Sequence, residues 1–228
     1  MNAIQFHMQM KENAFTPLGD LVYNYLFDQI ITMEMLPESR LNEAQIAKQL
    51  GVSRSPIRAA IERLIDEQLV IKTQGKYPII APVTQEDWIE MTHARTVIES
   101  KASYYAAQVI DSMTIEKLKM LASKYDEISK SPTLEGFEKC DHEFHTTIVY
   151  ACRNKYLIDM YESIQYRVLR YRYNLRQRMP LESLIPMIQN TAQSHWGIIF
   201  LLEKRITTVV ADEMAQHLDI MRDIFAHW

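Results

Sequence analysis

Asp141 and His145 stand four residues apart in a stretch that reads as helix, so their side chains share one face. His195 and His217 follow on two later segments that also read as helix. One carboxylate and three imidazoles make a donor set suited to a borderline divalent cation: Zn²⁺, Ni²⁺, Mn²⁺ or Fe²⁺. Imidazole supplies neutral nitrogen and aspartate offsets charge. The residue pattern alone leaves the ordinary alternative open, in which Asp-x-x-x-His is core or surface polarity without a metal. His142 is turned roughly 100° from this face and reads as a residue behind the ligands or at the surface. His7, His93 and His227 are read as having no ligand role.

A second group is Arg54 and Arg58, also four apart, with Ser55 beside them. They share the outer face of a helix whose inner stripe is Ile57, Ala60, Ile61 and Leu64. Arginine there can bond bidentately to guanine or to phosphate. A serine near a helix N-terminus suits a phosphate oxygen. An isolated arginine pair would more simply be a solvated face. A third group is Arg95 with Glu99 at i+4, where Arg95 suits an anionic ligand or else a buried ion pair. A tract from Tyr161 to Arg178, dense in Tyr and Arg, must divide its side chains between the interior and solvent or a neighbouring chain.

The elements that position these groups follow from composition and periodicity. The chain has 228 residues, 47% hydrophobic and 24% charged, which excludes general disorder. With 5 Gly and 8 Pro it is neither low-complexity nor a turn-rich all-β protein. Its 2 cysteines cannot build a disulfide scaffold and read as reduced thiols of a cytoplasmic protein. No apolar run reaches the roughly 18 residues that span a bilayer, and no signal peptide is visible. The net charge of −4 is uninformative, but between Arg40 and Lys76 seven basic residues face four acidic ones. A local basic stretch of that kind suits nucleic acid.

Residues 1–15 read as a flexible tail, 16–82 as one domain and 83–228 as a second, all-helical one. Thr16-Pro17 predicts a helix start over an amphipathic run from Leu18 to Met33. Asn42 predicts the cap of a helix over Glu43–Leu50, Gly51 the turn, and Ser53 the cap of a helix to about Gln68. Two β-like runs, 69–73 and 77–81, flank Gln74-Gly75-Lys76 and predict a hairpin. Ala47, Gly51 and Ile57 then mark a helix-turn-helix, in which a small residue and a glycine let two helices cross closely. Gly75 and Lys76 stand at the tip of the hairpin, as a wing would. In the second half Thr84 with Asp87 predicts a capping box and a helix over 85–110. Thr114 predicts the next cap, and helices are expected over 134–152, 155–178, 182–203 and 205–226.

The stretch from Arg40 to Leu64, and above all Gly51-Val-Ser-Arg-Ser-Pro-Ile-Arg58, resembles the winged-helix domain of the GntR family of bacterial transcription regulators. That resemblance implies DNA contacts at Arg54, Ser55, Arg58 and Gly75. A basic residue that some members carry before the turn falls at Ala44, so the operator is expected to differ. Arg95-Thr-Val-Ile-Glu99, Asp141-His-Glu-Phe-His145 with Asn154, His195 and His217 resemble the FCD effector domain of the FadR subfamily. The resemblance, over about residues 16–225, implies Asp141, His145, His195 and His217 as metal ligands, zinc first among the metals. It also implies a homodimer reading a short palindrome on double-stranded DNA, and a small organic-acid effector bound near the metal with Arg95. Two alternatives stay within regulation: a purely structural metal with the effector elsewhere, and a metal-free regulator of acyl-chain ligands. A third, a metallohydrolase fused to a DNA-binding module, lacks a positioned base beyond Glu143, which points off the ligand face. The expected fold is mainly α, a winged helix-turn-helix followed by a helical bundle.

Overall fold

The computed structural model describes residues 6–8, 10, 15–73, 75–131 and 133–225, with the last six by backbone only. The chain divides into two compact units, Met1–Val83 and Thr84–Trp228. Most of the stretch read as a flexible tail, together with Gln74, Pro132 and His227, lies outside the described residues. Phe6 within that stretch is buried, its ring edge-on to Tyr25 at 5.6 Å.

The first unit holds α1 (Leu18–Ile31), α2 (Glu43–Leu50), α3 (Arg54–Asp66), β1 (Val70–Ile71) and β2 (Ile79–Ile80). Leu26, Leu50, Ile57, Ile61 and Leu64 are buried, so one apolar stripe from each helix meets in a common core. The helix starts differ in how they are held. Asn42 accepts from the N–H groups of Ala44 and Gln45 at 3.0 and 3.1 Å, an N-cap made by its side chain. Ser53 occupies the same position before α3 without a side-chain bond. Before α1 the cap position belongs to Pro17, with ψ 136°, and not to Thr16 as expected. Proline has no N–H to leave unsatisfied there. Gly51 has φ +66°, the left-handed turn that joins α2 to α3, and its N–H donates to the Ala47 carbonyl. The hairpin is shorter than the apolar runs that announce it. Among the described residues only Val70 with Ile80 and Ile71 with Ile79 pair, antiparallel, and Arg40 adds one bridge to Ile79.

The second unit holds α4 (Gln85–Val109), α5 (Ser112–Ser129), α6 (Phe137–Ala151), α7 (Lys155–Glu162), α8 (Gln165–Arg178), α9 (Leu181–Glu203) and α10 (Thr207–Phe225). No strand occurs among its described residues. α4 and α10 pack along one another, and α5 packs against both α6 and α9. The expected cap at Thr114 moves to Asp111, whose carboxylate accepts from the Thr114 N–H and hydroxyl at 2.8 Å. The expected helix 155–178 breaks at Ser163-Ile164, where the Ser163 hydroxyl donates to the Met160 carbonyl at 2.6 Å. Asn154 caps α7 by accepting from Tyr156 and Leu157 N–H. Pro186 lies within α9, near its start.

Candidate metal centre and nucleic-acid interface

α6, α9 and α10 each bring their polar residues to one point in the interior of the second unit. One ligand atom from each of Asp141, His145, His195 and His217 lies within 4.8 Å of the others, and all four residues are buried. Nε2 of His217 is 3.1 Å from Nε2 of His145. The Asp141 carboxylate reaches Nε2 of His195 at 3.3 Å and Nε2 of His145 at 3.5 Å. Behind these four residues stands a layer that orients them. Nδ1 of His145 lies 2.6 Å from Oε2 of Glu99, and the other Glu99 oxygen takes Nε of Arg95 at 2.5 Å. Nδ1 of His217 meets the Ser194 hydroxyl at 3.0 Å, and that hydroxyl faces Glu213 at 3.5 Å. Phe144 stacks on His195 at 3.9 Å, with Tyr125 edge-on at 4.8 Å.

This geometry fits a divalent cation on its own terms. Glu99 holds the proton of His145 on Nδ1. Ser194 donates towards Glu213 and so accepts from His217 Nδ1–H. Both Nε2 atoms are then bare lone pairs facing one another in the buried interior. His195 has no hydrogen-bond partner for either ring nitrogen among the described residues. Buried lone pairs without a donor are costly, and a cation among them supplies what is missing. Protons do not take its place: burial, reinforced by the neighbouring positive groups, holds His195 and His217 well below the ordinary imidazole range. Burial likewise lowers His145, against the pull of Glu99. At Glu99 burial favours the acid form, but Arg95 and His145 outweigh it and keep the carboxylate well below its usual range. The second unit thus holds a buried His/Asp cluster able to take a metal.

Two arginines border the cluster. Arg95 forms the ion pair with Glu99, yet its Nη1 has no hydrogen-bond partner among the described residues. Arg172, from α8, touches the Asp141 carboxylate and is 2% exposed. Burial, and then repulsion from Arg95, pushes its guanidinium down to about 9. Sequence reasoning did not single out Arg172. Its signal was the Tyr/Arg tract, but periodicity does not say which arginine of such a helix turns inward. His142 is partly buried, its ring 6.3 Å from that of Tyr166, and burial lowers it to about 4. Glu143 is exposed and pairs with Lys117 at 3.5 Å.

In the first unit α3 presents Arg54, Ser55 and Arg58 to solvent, opposite the buried stripe of Ile57, Ala60, Ile61 and Leu64. Arg58 Nη2 rests 3.2 Å from Oε2 of Glu43 on α2, a partner the sequence reading did not name. Gly75 and Lys76 are exposed in the turn of the hairpin, Gly75 with φ +75° and open space where a Cβ would stand.

A helix-turn-helix with a small wing, followed by an all-helical unit, defines a DNA-binding transcription regulator. Comparison with known proteins agrees. Residues 18–76 match the family of bacterial regulatory proteins, gntR family, and residues 90–220 match the FCD domain. The chain belongs to the GntR family of transcription regulators, among the members that carry an FCD domain, and is not an enzyme. It is 25% identical over 200 residues to the HTH-type transcriptional repressor GlaR of Escherichia coli K12, covering 86% of this chain and 90% of that one. It is 23% identical over 207 residues to the repressor RspR of the same organism, covering 90% and 88%. An uncharacterized HTH-type regulator of Bacillus subtilis, YdhC, is 31% identical over 155 residues, 65% and 67% of the two chains. Among solved structures, E. coli McbR/YncC shares the fold with TM-score 0.79 at 18% identity, over 93% and 99% of the chains. No described helix is long and apolar enough to cross a membrane.

Proposed function

We propose that the protein is a homodimeric, cytoplasmic regulator whose affinity for a short palindromic operator is set by a small organic acid bound beside a divalent cation. The observation that carries this reading is the buried Asp141, His145, His195 and His217 cluster with Arg95 and Arg172 at its border. Those four residues hold the cation, and three imidazoles with one carboxylate favour zinc. When bound, the cation offers a positive centre for one carboxylate oxygen of the effector. Arg95 offers the effector a guanidinium N–H that has no hydrogen-bond partner among the described residues, and Arg172 adds a second buried positive group. Arg54 and Arg58 read base edges or phosphates, Ser55 takes a phosphate oxygen, and Gly75 with Lys76 approaches the backbone from the wing. The effector acts only through unequal affinity for the DNA-competent and incompetent states. The names of GlaR and RspR favour repression.

The primary test is selection of bound sequences from a randomised duplex library with zinc-loaded protein. Recovery of one short palindrome supports a dimeric regulator. Recovery of nothing at low salt counts against it. The ligands' near-complete burial also suits a purely structural metal. Cobalt-substituted protein separates the two: a small carboxylate such as citrate alters the visible spectrum if it reaches the metal. A spectrum unmoved by every carboxylate that changes operator affinity would place the effector elsewhere.

A further inference from the structure

The Tyr/Arg tract of α8 divides over two faces. On one, Arg172 meets the Asp141 carboxylate and Arg176 meets Glu138 at 3.2 Å. On the other, Arg167 and Tyr171 grip the first turn of α4. The Tyr171 hydroxyl accepts from the Thr84 N–H at 3.0 Å and donates to Oδ2 of Asp87 at 2.8 Å. It also lies 3.0 Å from the Thr84 carbonyl, but a phenol has one proton, and the charged carboxylate is the better acceptor. Arg167 pairs with the other oxygen of Asp87, and the Trp88 ring packs on that of Tyr171 at 5.3 Å. The capping box expected at Thr84 is therefore only half made. The Thr84 hydroxyl accepts from the Asp87 N–H at 3.2 Å, while the reciprocal bond to the Thr84 N–H comes from Tyr171.

Thr84 is the first residue of the second unit, and the chain before it, ending at Val83, is the DNA-reading unit. Tyr171 and Arg172 are neighbours on one helix, about 100° apart around its axis. A helix shifts as a body, so a change in how Arg172 engages Asp141 moves the Tyr171 hydroxyl with it. We propose that Arg167 and Tyr171 are positioning residues that carry the state of the Asp141–Arg172 contact to the start of α4, and so to the DNA-reading unit. The inference rests on the regulator reading above.

The test is a double-mutant cycle on the full-length protein, read by amide hydrogen exchange over residues 84–91 and by affinity for the selected operator. Tyr171→Phe keeps the ring against Trp88 and deletes the hydroxyl, and exchange at the Thr84 amide is expected to rise roughly tenfold. Arg172→Lys is expected to raise exchange over the same segment about threefold when the hydroxyl is present, and to add little when it is absent. Operator affinity is expected to follow the same pattern. Arg167→Gln, which leaves the buried cluster untouched, is expected to act like Tyr171→Phe. Should Arg172→Lys fail to fold, Asp141→Asn perturbs the same contact from the other side. Effects of the two substitutions that simply add would overturn the proposal. Because exchange is read without DNA or metal, it tests the clasp alone. Failure of the wild-type protein to bind any operator would instead count against the regulator reading.

Discussion

Replacing His217 by alanine removes one of the four residues proposed to hold the cation, together with the ring that faces His145 at 3.1 Å. Structural zinc in four-ligand sites contributes about 10–16 kcal/mol, so one ligand is worth roughly 3 kcal/mol, about two orders of magnitude in affinity. The consequence for stability follows from mass action. Zinc at about 1,000 times its Kd stabilises the wild-type protein by about 4 kcal/mol, which for a unit of this size raises Tm by roughly 8–16 °C. At the same zinc concentration the variant, bound about a hundredfold more weakly, gains only about 1.4 kcal/mol, or roughly 3–6 °C. Without metal the substitution costs less than an ordinary core deletion, because it also removes a contact between two lone pairs. The assay is thermal unfolding of chelator-treated protein with and without zinc, alongside metal analysis. A His217→Ala protein that keeps stoichiometric zinc and the full rise in Tm would refute the assignment.

Ser194→Ala removes the hydroxyl that orients His217 and is expected to weaken zinc binding by about 10–100-fold in a competition titration; unchanged affinity would show that the tautomer needs no such support. Arg54→Ala and Arg58→Ala are each expected to cost about 1–3 kcal/mol of operator binding, Arg58 less by the modest strength of its exposed pair with Glu43. Unchanged affinity in both would remove α3 from the DNA. In the metal-free protein, acid is expected to unfold the second unit early. His195 and His217 have folded pKa values lowered from 6.5, so their neutral forms stabilise the fold above that pH. Stability is then lost as pH falls below 6.5, by about 1.4 kcal/mol per pH unit for each. A denaturation midpoint flat from pH 7 to 5 would contradict this. Gly51→Ala is expected to cost about 1–2 kcal/mol, since its φ of +66° strains any side chain, as a chemical denaturation curve will register.

The helix-turn-helix was legible because its signals are local. Asn42 and Gly51 act on their own backbone within a few residues, and the stripe Ile57, Ala60, Ile61, Leu64 has the period of the helix that buries it. The donor set was legible for a similar reason at one remove. Asp141 and His145 are tied by helical spacing, while His195 and His217 were offered by residue type and joined to them by the resemblance, and folding brings all four together. Where competing side chains decide, local signals fall short. Asp111 takes the cap expected of Thr114 because its carboxylate reaches both the N–H and the hydroxyl of that residue. Tyr171 completes the cap of Thr84 from 87 residues away.

By itself, then, the sequence determined the helical class, the helix-turn-helix with two outward arginines on its second helix, and the residue types of the buried His/Asp cluster. These depend on spacing along one chain segment. Only the tertiary structure decided that Arg172 turns inward to Asp141, that Glu99 and Ser194 orient the imidazoles, and that Arg167 and Tyr171 clasp the start of α4. Each of those pairings joins residues from different helices or chooses one face of a helix whose every face carries Tyr or Arg. Local periodicity is degenerate on such a helix, and the choice is made by which buried charge finds a partner.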